Sequence, residues 1–181
     1  MREKLILTYQ NYLQLPSDRN RYEILGGDLY VTPSPSPTHQ SVVMNLGAQI
    51  LAHVRQHSLG RVLPSPVDVI LSQVDVVQTD LVFVSKARAH IITDTGIQGP
   101  PDLVIEILSP TTARVDRGRK METYARSGVA GYWIVDPDTQ SVEVYTLEGG
   151  QYRRAATLGA QDTLTSPNLP GLTLPVSSLW E

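Results

Sequence analysis

The 181-residue sequence predicts a mixed α/β (α+β) fold, and three features of it carry that expectation. Short apolar stretches of strand length recur from Arg21 to Thr146. Two longer segments, 39–57 and 115–126, space their side chains as helices do. Strands and helices then alternate along the chain, as they do around a mixed sheet flanked by helices.

Length and composition set the frame. At about 100–200 residues per domain, residues 1–181 are expected to form a single domain. Hydrophobic residues at 41% and charged residues at 18% fit a globular chain rather than a disordered one. Fifteen Lys and Arg against 18 Asp and Glu give a net charge of −3. That excludes a nucleic-acid binder held by overall positive charge and leaves a local basic patch open. The absence of cysteine excludes disulfides, thiolate metal sites, iron–sulfur clusters and a cysteine nucleophile. The apolar run Leu5–Leu7 falls short of the about 7–15 residues of a secretory segment and the about 18 of a membrane span. A soluble, cytoplasmic protein with no membrane partner is expected. No repeat of solenoid or propeller length is present.

The elements follow in order. RYEILGGDLYV (Arg21–Val31) reads as a hairpin, because Gly26 and Gly27 tolerate the positive φ of a primed turn. The prolines of Thr32–Thr38 forbid regular structure, and Thr38 is the expected N-cap. Val43, Leu46, Ile50 and Val54 form the stripe of a helix over 39–57, ended by Gly60. Strands are expected at Arg61–Leu63, Val67–Leu71, Val76–Val84 and Leu103–Leu108, with a surface loop over Ala87–Pro100. Val115–Arg126 is a second helix, closed by Gly128. Gly131–Val135 and Ser141–Thr146 are strands joined by a turn at Asp136–Gln140. The Pro- and Gly-rich tail from Ser166 to Pro175 reads as an extended wrap.

Two carboxylates interrupt apolar strands: Asp80 in VVQTDLVFV and Glu106 in LVIEIL. An ionised carboxylate taken out of water needs a partner. Each is either structural (a strand-end Asp, an Arg-paired Glu) or one half of a metal site. With only oxygen donors on offer, the ion would be Mg²⁺ or Mn²⁺. Period two puts Glu106 on the face of Val104 and Leu108, while Asp102 reads as a turn residue. In VDRGRKMETYAR, the i, i+4, i+8 spacing places Asp116, Lys120 and Tyr124 on one helix face. Residues 114–126 hold five basic side chains against two acidic ones. Arg114, Arg117 and Arg119 form either a solvated face or, with Ser109 and the hydroxyls after it, a phosphate-contacting surface. His53 and His57 have the spacing of a zinc helix, but Val54 stands where its glutamate would be, so a solvent face is expected.

RYEILGGDLYVTPSPSPTHQ, QTDLVFV, GPPDLVIEILSPTT and DRGRKMETYARSGVAGYWIVDP together resemble the Uma-two family. Its members are restriction-endonuclease-like bacterial proteins, abundant in cyanobacteria, within the PD-(D/E)XK nuclease superfamily. The resemblance implies a mixed central sheet with an extra N-terminal hairpin and C-terminal strands. It implies Asp80 as the first motif acid, Glu106 as the second and the Ile107 carbonyl as a further metal ligand. The superfamily lysine belongs two residues after the second acid, where Leu108 stands, so Lys120 is expected to replace it from the following helix. Glu23 becomes an accessory acid, and His39 a family feature that is either part of the site or a helix cap.

The function so implied is a Mg²⁺-dependent (or Mn²⁺-dependent) endonuclease acting on DNA, as a homodimer by analogy of fold. The alternatives are a nuclease-fold nucleic-acid-binding protein with weak or no catalysis, and a structural or interaction protein. Asp80→Asn is expected to preserve the fold and even stabilise it by relieving repulsion between two acids.

Overall fold

The computed structural model describes residues 5–181. A short helix, α1 (Tyr9–Tyr12), precedes the hairpin of β1 (Arg21–Leu25) and β2 (Asp28–Thr32). Gly26 and Gly27 turn it at φ 58° and 78°, the left-handed pair that a two-residue primed turn requires. Next comes α2 (Pro37–Gln56), which starts earlier than expected. Its cap is Ser36, not Thr38: the Ser36 hydroxyl accepts from the His39 N–H, and Pro37 takes a first-turn position where its missing donor is no loss. The helix ends at His57, and Gly60 opens the next strand instead of closing the helix.

The strands β3 (Gly60–Pro64), β4 (Val69–Ser72), β5 (Asp75–Val77) and β6 (Leu81–Ser85) follow. The apolar run from Val76 to Val84 is thus two strands rather than one. Gln78, Thr79 and Asp80 break it where the chain passes from one sheet to another, a change that continuous hydrophobicity does not reveal. The expected loop over 87–100 also holds structure: a 3₁₀ turn (Lys86–Ile91) and the strands β7 (Ile92–Thr93) and β8 (Gly96–Gln98). Strands of two and three residues are too short to show a period.

β9 (Leu103–Ile107) lies parallel to β10 (Gly131–Asp136). Parallel neighbours need a crossover, usually helical. Here it is built from α3 (Ala113–Val115), a π-helical turn (Asp116–Lys120) and α4 (Met121–Ser127), closed by Gly128 at φ 87°. Antiparallel strands β11 (Ser141–Glu148) and β12 (Gln151–Leu158) extend the sheet. The tail is no plain wrap: β13 (Thr163–Ser166) and β14 (Leu169–Pro175) pair as a hairpin before a final 3₁₀ turn (Val176–Leu179).

One six-stranded sheet runs β2-β1-β5-β4-β8-β7 and the other β12-β11-β10-β9-β6-β3. The N-terminal hairpin therefore forms one edge of the first sheet, beside β5, β4, β8 and β7, rather than decorating the central one. Alternation divides the side chains of the second sheet. Phe83, Ile105 and Trp133 pack with Leu46 and Ile50 of α2 and Leu164 of the C-terminal hairpin. Val82, Val104 and Ile134 pack with Leu25 and Val77 of the first sheet and Tyr124 of α4. Glu106, in phase with Val104, enters this layer between the sheets, beneath the crossover helix. Among the described residues, no helix is long and apolar enough to cross a membrane.

Candidate active site

β6 and β9 are antiparallel, with Leu81 opposite Ile105; one step further along that register, Asp80 stands opposite Glu106. The Asp80 carboxylate meets three donors. Oδ1 accepts from Arg21 Nη2 at 2.8 Å; Oδ2 accepts from the Ile107 N–H at 2.8 Å and lies 3.1 Å from His39 Nε2. An ionised carboxylate only accepts, so Nε2 carries the hydrogen there. Burial pushes Asp80 up, but the His39 hydrogen bond and the charges of Arg21, His39 and Lys120 outweigh it. Asp80 is held below the usual carboxylate range.

Glu106 is surrounded differently. Its Oε1 accepts from Lys120 Nζ at 3.1 Å and from the Tyr124 hydroxyl at 2.6 Å. The same ammonium lies 3.0 Å from Glu23 and 3.4 Å from Asp116. One cation thus serves three carboxylates, more negative charge than it can neutralise. Burial raises Glu106, Lys120 pulls it back, and Asp80, Asp116 and Glu23 push it further, to about 8. Asp116 rises as well, chiefly through burial. Burial would lower Lys120, but its three carboxylates override that and hold it well above its ordinary value.

Asp80, Glu106 and His39 line one cleft of about 220 Å³ together with Arg21, Ser109 and Asp116. Lys120 and Glu23 border a smaller recess behind it, of about 120 Å³, with Asp116 in the shared wall. Leu108, where the superfamily lysine would stand, is buried in the apolar layer with Tyr124 and Tyr132. The basic stretch is largely neutralised by its neighbours. Arg117 pairs with Glu143 and lies 3.6 Å from Asp136, Arg119 lies 3.4 Å from Asp28, and Arg126 lies 3.1 Å from Asp75. Arg114 is exposed and makes no ion pair among the described residues. The Ser109 hydroxyl lies 3.1 Å and 3.0 Å from those of Thr111 and Thr112. His53 bonds the Pro170 carbonyl at 3.0 Å from an exposed position.

Arg21 was not legible as a site residue, since RYEIL reads as an ordinary hairpin strand. Its one signal was the i, i+2 spacing to Glu23, which puts both on one face of β1. Tyr124 and Asp116 lay on the predicted helix face without being assigned to the site.

Whether this cleft suits a cation follows from its donors. Across the cleft and the recess, Glu23, Asp80, Glu106 and Asp116 face Arg21 and Lys120, so with His39 neutral full ionisation leaves two uncompensated negative charges. His39 Nδ1 and Asp116 Oδ1 are buried without a hydrogen-bond partner among the described residues. No three His, Asp or Glu side chains among those residues converge as a ready-made cage. Mg²⁺ does not need one: it is commonly held by one or two carboxylates and keeps several waters. Oxygen donors with excess negative charge fit a hard divalent ion.

The mixed α+β scaffold thus brings two acids to one cleft and, from the crossover helix, an ammonium to the second of them. The chain is similar to a crystal structure described as "a putative nuclease belonging to DUF820" from Anabaena variabilis ATCC 29413, with a TM-score of 0.78 at 20% identity over 96% of this chain and 97% of that one. No curated protein matches it. Residues 9–177 match the Uma2 family, described as "Putative restriction endonuclease", and the chain belongs to that family.

Proposed function

We propose that the protein is a divalent-metal-dependent endonuclease that hydrolyses phosphodiester bonds of DNA. The observation that carries this reading is the Lys120 ammonium, 3.1 Å from Glu106 although it comes from a helix and not from the strand. Two acids and a lysine are thereby assembled even though Leu108 occupies the lysine's place in the superfamily pattern. The family description and that of the structural neighbour support the same reading.

Asp80, Glu106 and the Ile107 carbonyl would hold Mg²⁺ or Mn²⁺, which supplies Lewis acidity toward the phosphate and lowers the pKa of water. His39 keeps the Asp80 carboxylate oriented. Lys120 opposes the charge that gathers on the phosphate and fixes the Glu106 carboxylate, while Glu23 anchors Lys120. Arg114 and Ser109 contact flanking phosphates. Arg117 and Arg119 join them only by leaving Glu143 and Asp28. A second copy of the chain would place a second cleft on the opposite strand.

One observation favours a second reading, a nuclease-fold protein that binds nucleic acid without cutting it: both Asp80 oxygens are already taken by protein donors. Supercoiled plasmid incubated with Mg²⁺, Mn²⁺ or EDTA separates the two. The endonuclease nicks it with either metal and not in EDTA, and Asp80→Asn does not nick it. Salt-sensitive binding without nicking in any metal would establish the second reading instead.

A further inference from the structure

Of the residues that line the cleft, Arg21 alone carries a fixed positive charge; Lys120 stands outside it. The Arg21 side chain is only 15% exposed. It also borders the adjoining groove, which shares Asp80 and the prolines of the 33–35 loop with the cleft. Arginine has five N–H donors. Among the described residues a single hydrogen bond is made, from Nη2 to Asp80 Oδ1. Among the described residues the remaining donors are unbonded and not fully buried, so they open onto the cleft or its continuation. A planar guanidinium with free donors, held by one carboxylate at the wall of an anion-sized cleft, is the arrangement that recognises phosphate.

Its present bond has a second meaning. Asp80 would be a metal ligand, and Arg21 now supplies positive charge to the same carboxylate. A cation arriving at Asp80 meets that charge as a competitor. Its binding would release the Arg21 donor toward the cleft.

Resting on the nuclease reading, we propose that Arg21 is the residue that grips the substrate phosphate, and that it substitutes for the divalent cation at Asp80 until that cation binds. Metal binding and phosphate binding then support each other, because the metal frees the arginine and the arginine brings the phosphate to the metal.

The test uses two probes. Mn²⁺ is titrated calorimetrically into the protein without nucleic acid, and a short DNA duplex is bound in Ca²⁺ over a range of KCl concentrations. Arg21→Gln removes the competitor, so Mn²⁺ should bind at least about fivefold more tightly, the lower end of ordinary coupling between sites. The salt slope of duplex binding should fall by about 1, the signature of one lost phosphate contact. Arg21→Lys keeps the charge, and so should keep the wild-type Mn²⁺ affinity while weakening the duplex, since an ammonium lacks the fork that spans carboxylate and phosphate.

Unchanged or weaker Mn²⁺ binding in Arg21→Gln overturns the proposal and leaves the metal-dependent reading standing. Wild-type duplex affinity in Arg21→Lys overturns it too, even if Arg21→Gln does not fold. A wild-type protein that binds no Mn²⁺ defeats both the nuclease reading and this inference.

Discussion

Lys120 ties Glu23 to Glu106 with contacts of 3.0 Å and 3.1 Å, and those two acids sit on strands of different sheets. The ammonium is therefore a cross-brace between sheets as well as a candidate catalytic group. Its removal should be felt in folding and in activity.

Lys120→Met keeps the length of the side chain and deletes the charge. Breaking a buried pair by removing one partner costs about 3–5 kcal/mol. Part of that is recovered here, because the stranded carboxylates can take up protons. Nicking should fall by about 10²–10³, the scale of one transition-state stabiliser. Urea denaturation and a plasmid time course measure the two effects. Wild-type activity in a folded variant would remove Lys120 from the site.

Stability should fall with rising pH on account of Glu106. Its proton is held up to about pH 8 in the fold but lost near the ordinary 4.5 when unfolded. Between those values the native state binds more protons, so stability declines as pH increases. Asp80 acts in the opposite sense and lower down: held below its ordinary value, it contributes stability that is lost only as pH falls through its folded titration. Urea midpoints should drop across the Glu106 window in wild type and flatten in Glu106→Gln. Equal slopes in the two proteins would contradict the assignment.

The sequence led us to expect that Asp80→Asn would relieve repulsion; the bonds that Asp80 accepts predict the opposite sign. Asp80 accepts from Arg21 and Ile107 and meets His39 on its second oxygen. An asparagine would turn an NH₂ toward one of those donors and leave it unsatisfied, at about 1–3 kcal/mol. Thermal melts should show lower stability than wild type. They should also show stabilisation by saturating Mn²⁺ in wild type, about 2.7 kcal/mol at a hundredfold excess over Kd, and none in the variant. An Asp80→Asn protein more stable than wild type would restore the repulsion account.

Leu108→Lys does not offer a simple rescue of a Lys120 variant. Leu108 is 7% exposed and packed with Tyr124 and Tyr132. An ammonium there enters an apolar layer and lowers stability unless it reaches Glu106. The double variant Leu108→Lys, Lys120→Met should be less stable than Lys120→Met alone, as read by urea midpoint. A more stable double variant would show that the strand accepts the superfamily arrangement.

What could be read from the sequence was whatever a single element encodes. Alternation placed Glu106 opposite in phase to Ile105 and Ile107, and helical spacing put Lys120 and Tyr124 on one face; both meet Glu106. The Gly26-Gly27 turn and the Gly128 stop are equally local. The missed features depend on which elements become neighbours. Arg21 reaches Asp80 across 59 positions. The split at 78–80 reflects a change of sheet, which the hydrophobic run Val76–Val84 does not announce. Likewise the sequence left the basic helix open as a solvated or a phosphate-contacting face, because the acids that pair with it, Glu143, Asp28 and Asp75, lie on distant strands.

The π-helical turn at Asp116–Lys120 bears on how such a protein can change over time. A π turn amounts to one residue inserted into an α-helix, and each helical residue advances about 100° around the axis. The wider turn absorbs that extra residue, so deleting it would leave the flanking segments nearly in register, whereas tightening the turn with every residue kept would rotate Asp116 against Tyr124 by about that angle. The tightened chain would keep its helix, its glycine stop and its strands, and would lose the joint approach of Asp116 and Tyr124 to the Lys120–Glu106 pair. In this scaffold the chemistry can be retired by one turn of helix becoming more regular, with no residue lost or replaced.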